Sequence, residues 1–315
     1  MDRIIIAKKE NGRYKAFPTV IKNDNDIIIA YRNGVVDVSK PHGKDGCVVL
    51  LRSRDLKSWQ TLETPFCDNE LDAIISKVFD DKLILATRSF EYKKRNESYV
   101  SIFDAHCIPS ERKKVEIKGV NLAAFFGHMF EFGKEIIATA YGTINKITKP
   151  LVVASNDAGL NWYLKSAITN DNFEPILNET TIFPFNGEFI AIMRSKEPSY
   201  DLYISHSKNL IDWSIPEKMG ILGHAPMAKT TQKGKAVFVF RDLNDDLPGV
   251  SVAVSSNLKD WNIINIRKYS GNLYNGGYAD FVEIEQDRLF VVYYVCDEDN
   301  EPWIEAAFID IGDIK

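Results

Sequence analysis

Six times along this 315-residue chain, a polar turn is followed by a short apolar run that ends in Arg or Tyr. The copies are NDNDIIIAYR, ending at Arg32, FDDKLILATR at Arg88, FGKEIIATAY at Tyr141, FNGEFIAIMR at Arg194, QKGKAVFVFR at Arg241 and EQDRLFVVYY at Tyr294. Successive ends are 56, 53, 53, 47 and 53 residues apart. A second strand-like segment precedes each run: AFPTVIK, LDAIISKVF, GHMFEF, NETTIFPF, APMAKTTQ and GYADFVEIE. Each pair reads as an antiparallel hairpin, with the imperfect apolar alternation of strands covered on both faces. A period of about 50 residues built from strands specifies a β-propeller of four-stranded blades around a channel.

Downstream of four hairpins comes a third strand and a tight turn carrying Trp: SRDLKSW (Trp59), SNDAGLNW (Trp162), SKNLIDW (Trp213) and SSNLKDW (Trp261). The interval from Trp59 to Trp162 is two periods, with a degenerate turn near Pro109. The expected fold is therefore all-β, a six-bladed propeller of about 50 residues per four-stranded blade. No linker interrupts the series, so residues 1–315 form one expected domain. The N-terminal IIIA run should close the last blade, since an unclosed ring leaves exposed strand edges.

Composition narrows the function. A charge of −5 and the lack of a long Lys/Arg run argue against a nucleic-acid surface. KKRNE at 93–97 and ERKK at 111–114 are expected to be solvated loop charges. No segment approaches membrane-spanning length, and the N-terminus lacks the features of a secretory signal. Cys47, Cys67, Cys107 and Cys296 show no metal-ligand spacing and are expected as reduced thiols of a cytoplasmic protein. No cofactor motif is present. The expected partner is a carbohydrate substrate, with neither nucleic acid nor membrane.

In a propeller blade the start of strand one and the end of strand two share one face. The strand-two ends give Arg32, Arg88, Tyr141, Arg194, Arg241 and Tyr294. Counting back 13 to 17 residues gives Ala16, Asp72, His128, Glu179, His224 and Tyr278. Acids, imidazoles and a phenol ringed by guanidiniums shift one another's pKa values, as acid–base chemistry requires. The polar lining of a channel is the plainer reading of any single position. His128, His224, Asp72 and Glu179 could also converge on a metal, although water is the expected occupant.

These residues resemble the sialidase superfamily of glycoside hydrolases across essentially the whole chain. SNDAGLNW matches its Asp-box, a folding device. In that family an Arg-x-Pro segment opens the first blade with one of three arginines that clamp the substrate carboxylate. AYRNGVVD matches the Arg that precedes the Asp acid/base by five residues, and so nominates Asp37. The Asn-Glu of NETTIFPF matches the glutamate that polarises a Tyr nucleophile, and so nominates Glu179, with Arg194 as a clamp arginine. GGYADFVEI matches the segment carrying that nucleophile, and so nominates Tyr278. The chain departs from the pattern at Ala16-Phe17-Pro18, where the first clamp arginine is missing, and at DDLPGVSV, where the third is missing.

The resemblance implies cleavage of a glycosidic bond through a tyrosine nucleophile. Tyr278 would attack, Glu179 would take its proton, and Asp37 would protonate the leaving oxygen, with Asp72 a second candidate acid. Arg32, Arg88, Arg194, Arg241, His128, His224 and Tyr294 would bind an acidic or hydroxyl-rich sugar other than a standard sialic acid. Two alternatives stand beside this: a polysaccharide lyase using a His/Tyr pair, and a non-catalytic glycan-binding propeller.

Overall fold

The computed structural model describes residues 1–40, 42–62, 69–79, 82–89, 97–104, 106–196, 198–244, 248–271 and 274–314. Cys67, most of the KKRNE run and part of DDLPGVSV lie outside the described residues. Every apolar run of the repeat is a strand, and no helix occurs among the described residues, so none is available to cross a membrane.

Strand β1 (Asp2–Ala7) precedes a sheet of order β2 (Arg13–Asn23), β3 (Asp26–Val35), β4 (Lys44–Ser53), β5 (Gln60–Leu62). A second sheet follows in the same order: β6 (Glu70–Val78), β7 (Lys82–Ser89), β8 (Glu97–Asp104), β9 (Pro109–Lys114). The third contains β10 (Asn121–Phe125), β11 (Phe130–Phe132), β12 (Glu135–Ile144), β13 (Ile147–Ser155) and β14 (Tyr163–Ala167).

A seven-stranded sheet then runs through β15 (Leu177–Phe185), β16 (Glu188–Ser195), β17 (Asp201–Ser207), β18 (Glu217–Thr230), β19 (Ala236–Asp242), β20 (Gly249–Ser255) and β21 (Asn262–Lys268). Within it, β18 pairs with β17 through its first residues and with β19 from Gly223 onward. The last sheet holds β22 (Ala279–Glu285), β23 (Arg288–Val295) and β24 (Trp303–Asp310), and β1 pairs antiparallel with β24 as its fourth strand. The IIIA run thus covers the edge it was expected to cover.

Two local expectations are corrected. ERKK is not a loop but part of β9, an outer strand whose charges suit an edge, with Lys114 Nζ 2.7 Å from Glu97 Oε1. The thiols are not all reduced: Cys47 is disulfide-bonded, while Cys107 and Cys296 are free and buried.

The four Trp turns follow β4, β13, β17 and β20 and use one hydrogen-bond scheme. The leading serine hydroxyl accepts a backbone N–H from Leu56, Gly159, Leu210 or Leu258, and the Asp or Asn two residues on accepts from the amides that follow. The shorter turns put Leu56, Leu210 and Leu258 at φ 58, 63 and 65, a conformation that costs a branched side chain energy. Burial offsets this cost at Leu210, which packs in the core with Trp213 beside it. Trp162 and Trp261 lie edge-on to Phe125 and Phe238, at 5.1 and 4.8 Å.

Inner strands meet on a buried carboxylate. Asp280, at 0 % exposure, accepts the Val20 amide at 2.6 Å, His128 Nε2 at 2.7 Å and Lys229 Nζ at 3.1 Å. Burial pushes its pKa up, but His128 and Lys229 outweigh this and hold it down at about 2. Removing one partner of such a group leaves the others buried and uncompensated. Asp280→Ala is therefore expected to cost about 3–5 kcal/mol in urea unfolding. A loss below about 1 kcal/mol, the range of exposed ion pairs, would show that these strands do not depend on it.

Candidate active site

Each inner strand is distorted where it enters the site. In β2, β6, β10, β15 and β18, two residues face one residue of the neighbouring strand, a β-bulge that re-aims side chains. The bulged pairs are Phe17-Pro18, Leu71-Asp72, Leu122-Ala123, Asn178-Glu179 and Ala225-Pro226. In the last sheet Gly277 and Tyr278 take the same place, both bonded through their backbones to Tyr294. Equivalent positions are therefore Pro18, Asp72, Ala123, Glu179, Pro226 and Tyr278. Acid, acid and phenol alternate with small or apolar residues.

This register corrects the ring read from spacing alone. Asp72, Glu179 and Tyr278 were in phase, whereas Ala16 and His224 lie just before their bulges. His128 is not a strand start at all. The inner strand of the third sheet breaks into β10 and β11, and His128 sits in the gap. Gly127 makes the break: at φ 82, a Cβ there would lie 2.8 Å from Thr139 Oγ1 and 3.0 Å from Thr180 O.

A cavity of about 680 Å³ opens over these positions. Asp37, Arg88, Glu179, Arg194, Arg241 and Tyr278 line it, together with Tyr141. Asp72, Arg32, His128, His224 and Tyr294 do not. At its floor Tyr278 donates its phenol proton to Glu179 Oε1 at 2.7 Å. Arg194 Nη1 bridges the two, 2.9 Å from Glu179 Oε1 and 3.2 Å from the Tyr278 oxygen. Burial, reinforced by Glu179, raises the Tyr278 pKa well above its ordinary value, while Arg194 and Arg241 oppose the rise. Arg88 pairs with Asp72 (2.9 Å) and donates to the Tyr141 hydroxyl (3.0 Å).

The two candidate acids sit in opposite environments. Asp37 is on the rim, where the Ser39 hydroxyl and amide hold its pKa below the usual carboxylate range. Asp72 is paired with Arg88, and burial raises its pKa against the pull of that arginine. Arg32 is fully buried beside Gly34 and Gly46, its Nη2 3.4 Å from Asn69 Oδ1, and burial draws its pKa down to about 10.

Neither histidine of the ring reaches the cavity. His128 is spent on Asp280, and His224 Nδ1 accepts from Arg241 Nη1 at 3.1 Å. A guanidinium only donates, so His224 is the neutral Nε2–H tautomer. Among the described residues no group of three His, Cys, Asp or Glu side chains is placed to hold a metal. His128, His224, Asp72 and Glu179 do not form such a group.

Several lining residues carried no repeat signal: Tyr14, Lys40, His42, Tyr274, Asn275 and Asn300. Four of them form a chain. Tyr14 donates to Asn275 Oδ1 (3.0 Å), so its oxygen accepts from His42 Nδ1 (3.3 Å), and Asn275 Nδ2 donates to Asn300 Oδ1 (3.0 Å). Only the GGY segment just before β22, immediately downstream of Asn275, hinted at this wall.

The fold has solved relatives. A Dyadobacter fermentans protein of unknown function aligns with a TM-score of 0.84 at 18 % identity, over 98 % of this chain and 97 % of that one. Trypanosoma rangeli sialidase in complex with the inhibitor DANA aligns with a TM-score of 0.74 at 12 % identity, over 99 % of this chain but 60 % of the sialidase. A Penicillium chrysogenum α-L-arabinanase complexed with arabinobiose aligns with a TM-score of 0.70 at 11 % identity, over 100 % and 99 % of the two chains. No protein-family model matches the sequence, and no curated protein sequence matches it. The likeness is one of fold, to proteins that include propeller-like glycoside hydrolases.

Burial makes the site acid-sensitive. His224 and His42 titrate at about 2 and about 3 when folded, against 6.5 for an exposed imidazole, chiefly through burial and then through nearby arginines. A depressed folded pKa means the unfolded chain binds more protons between the two values. The stability these histidines confer is therefore complete above pH 6.5 and lost as pH falls toward 3. The expected slope in urea unfolding is about 1.4 kcal/mol per pH unit for each histidine. His224→Phe should remove its share and leave that of His42, and a pH-independent wild type would refute the assignment.

Proposed function

We propose that this chain is a glycoside hydrolase acting on an acidic or hydroxyl-rich sugar, built as a single six-bladed propeller. The blade count follows from dividing the seven-stranded sheet at β18, whose two ends serve as the outer strand of one unit and the inner strand of the next. One observation carries the enzymatic reading: the Tyr278 phenol donating to Glu179 at 2.7 Å, under Arg194, on the floor of an open cavity. A phenol bonded to a carboxylate acceptor is an activated nucleophile. It is also the arrangement of a glycosidase that attacks through tyrosine.

In this reading Tyr278 attacks the anomeric carbon as Glu179 takes its proton. Asp37, the only one of the two candidate acids that lines the cavity, protonates the leaving oxygen and then activates water. Lys40, Arg88, Arg194 and Arg241 line the same cavity with Asp37 and Glu179, four cations against two carboxylates. That excess favours an anionic ligand although the whole chain is acidic. The missing arginine at Ala16 and the involvement of Arg88 and Arg241 in protein contacts support a substrate other than a standard sialic acid. The His/Tyr lyase alternative loses support because neither His128 nor His224 lines the cavity.

The test is a screen of aryl glycosides and acidic oligosaccharides with wild type, Tyr278→Phe, Glu179→Gln, Asp37→Asn and Asp72→Asn. Tyr278→Phe and Glu179→Gln are each expected to lower kcat by about 10²–10⁴-fold. Asp37→Asn should hurt poor leaving groups more than nitrophenyl ones, because an activated phenol needs no proton. If Asp72→Asn shows that pattern instead, the acid is Asp72. No turnover of any sugar by wild type would leave a glycan-binding propeller.

A further inference from the structure

Arg241 was expected to clamp substrate, yet its hydrogen-bonding capacity is turned into the protein. Nε donates to Gly276 O at 2.6 Å, Nη1 to His224 Nδ1 at 3.1 Å, and Nη2 to Tyr274 O at 3.1 Å and to the Tyr294 hydroxyl at 3.4 Å. A guanidinium has five N–H groups, so four are committed. The side chain is 1 % exposed. What remains is its flat face, and the Arg241 Cζ lies 4.6 Å from the centroid of the Tyr278 ring. The backbone is shaped around this stack. A Cβ at Gly277, where φ is 85, would lie 2.8 Å from Arg241 Cγ, and one at Gly276 would lie 2.6 Å from the Tyr269 ring. The second glycine of GGYADFVEI thus leaves room for Arg241 beside Tyr278, and the first leaves room for the Tyr269 ring.

We propose that Arg241 is a positioning residue: tied down at its edge, its guanidinium seats the Tyr278 ring and favours the phenolate form of that side chain. The inference rests on Tyr278 being the nucleophile. A cation over an aromatic face is attracted by the ring, and more so once the ring oxygen carries negative charge. The other groups facing Tyr278 are Glu179, which favours the phenol, Arg194, which favours the phenolate, Tyr294, and the apolar rings of Phe17 and Phe126. Arg241 would then supply from below the ring a positive charge that the substrate cannot displace. A clamp arginine, by contrast, is neutralised by the substrate carboxylate as it binds.

The experiment places trifluorotyrosine, a more acidic phenol, at position 278 and follows its ionisation by absorbance, with the folded state checked by circular dichroism. Arg241→Met is expected to raise the midpoint by about one pH unit, a tenfold change in the ionisation constant. Arg241→Gln, which keeps an amide donor for the Gly276 carbonyl, carries the same expectation should the methionine variant fail to fold. Arg241→Lys, which keeps the charge, should recover at least half of the shift. An unchanged midpoint in the uncharged variants, or a lysine variant indistinguishable from them, would overturn the proposal. The titration needs no substrate, so its outcome is separate from the glycoside screen, which decides whether Tyr278 attacks a sugar.

Discussion

One buried carboxylate holds the inner strands in the arrangement that everything else uses. Asp280 lies on β22, yet it accepts from the Val20 amide of β2, from His128 between β10 and β11, and from Lys229 of β18. Four segments far apart in sequence therefore share a single anion. Isolated in an apolar interior that charge would be untenable, and it is the three donors that make it stable. Tyr278 is two residues before Asp280 on the same chain segment. The anchoring of the strand and the placing of the phenol are consequently one problem, solved once.

The bulges solve the next problem, which is direction. A regular inner strand would alternate its side chains between neighbouring sheets and leave little for the cavity. Two residues facing one turn Glu179 toward the cavity and Asp72 onto Arg88, and the Gly277-Tyr278 pair brings the phenol to the cavity. The guanidiniums of Arg88 and Arg194 come from the residues opposite those bulges, so each carboxylate faces its own cation by construction.

Much of this was legible in the sequence, and the part that was not has a physical reason. The period, the hairpins and the closing role of β1 are properties of apolar patterning, which is local and repeats. Tyr278, Glu179, Arg194 and Arg88 were found because they fall at fixed distances from the repeat. The phase of the ring was not legible, because a bulge changes register without changing composition. Hence His128 was placed at a strand start when Gly127 had already broken that strand. Tyr14, His42, Asn275 and Asn300 were missed because they lie outside the ring positions that the repeat compares. The cysteines misled for a related reason: pairing depends on distance in space, and spacing along the chain says nothing of it.

The continuity of β18 has a consequence for how the molecule can breathe. At most boundaries between sheets the chain leaves one sheet, turns, and begins the next, so neighbouring sheets can separate by bending a connection. Across β18 the backbone passes from one hydrogen-bonded partner to the other within a single strand. The strands on either side share one hydrogen-bonded spine, so they cannot part here without breaking ladder hydrogen bonds. The wall where Asp37 and His42 stand, between β3 and β4, has no such shared strand among the described residues.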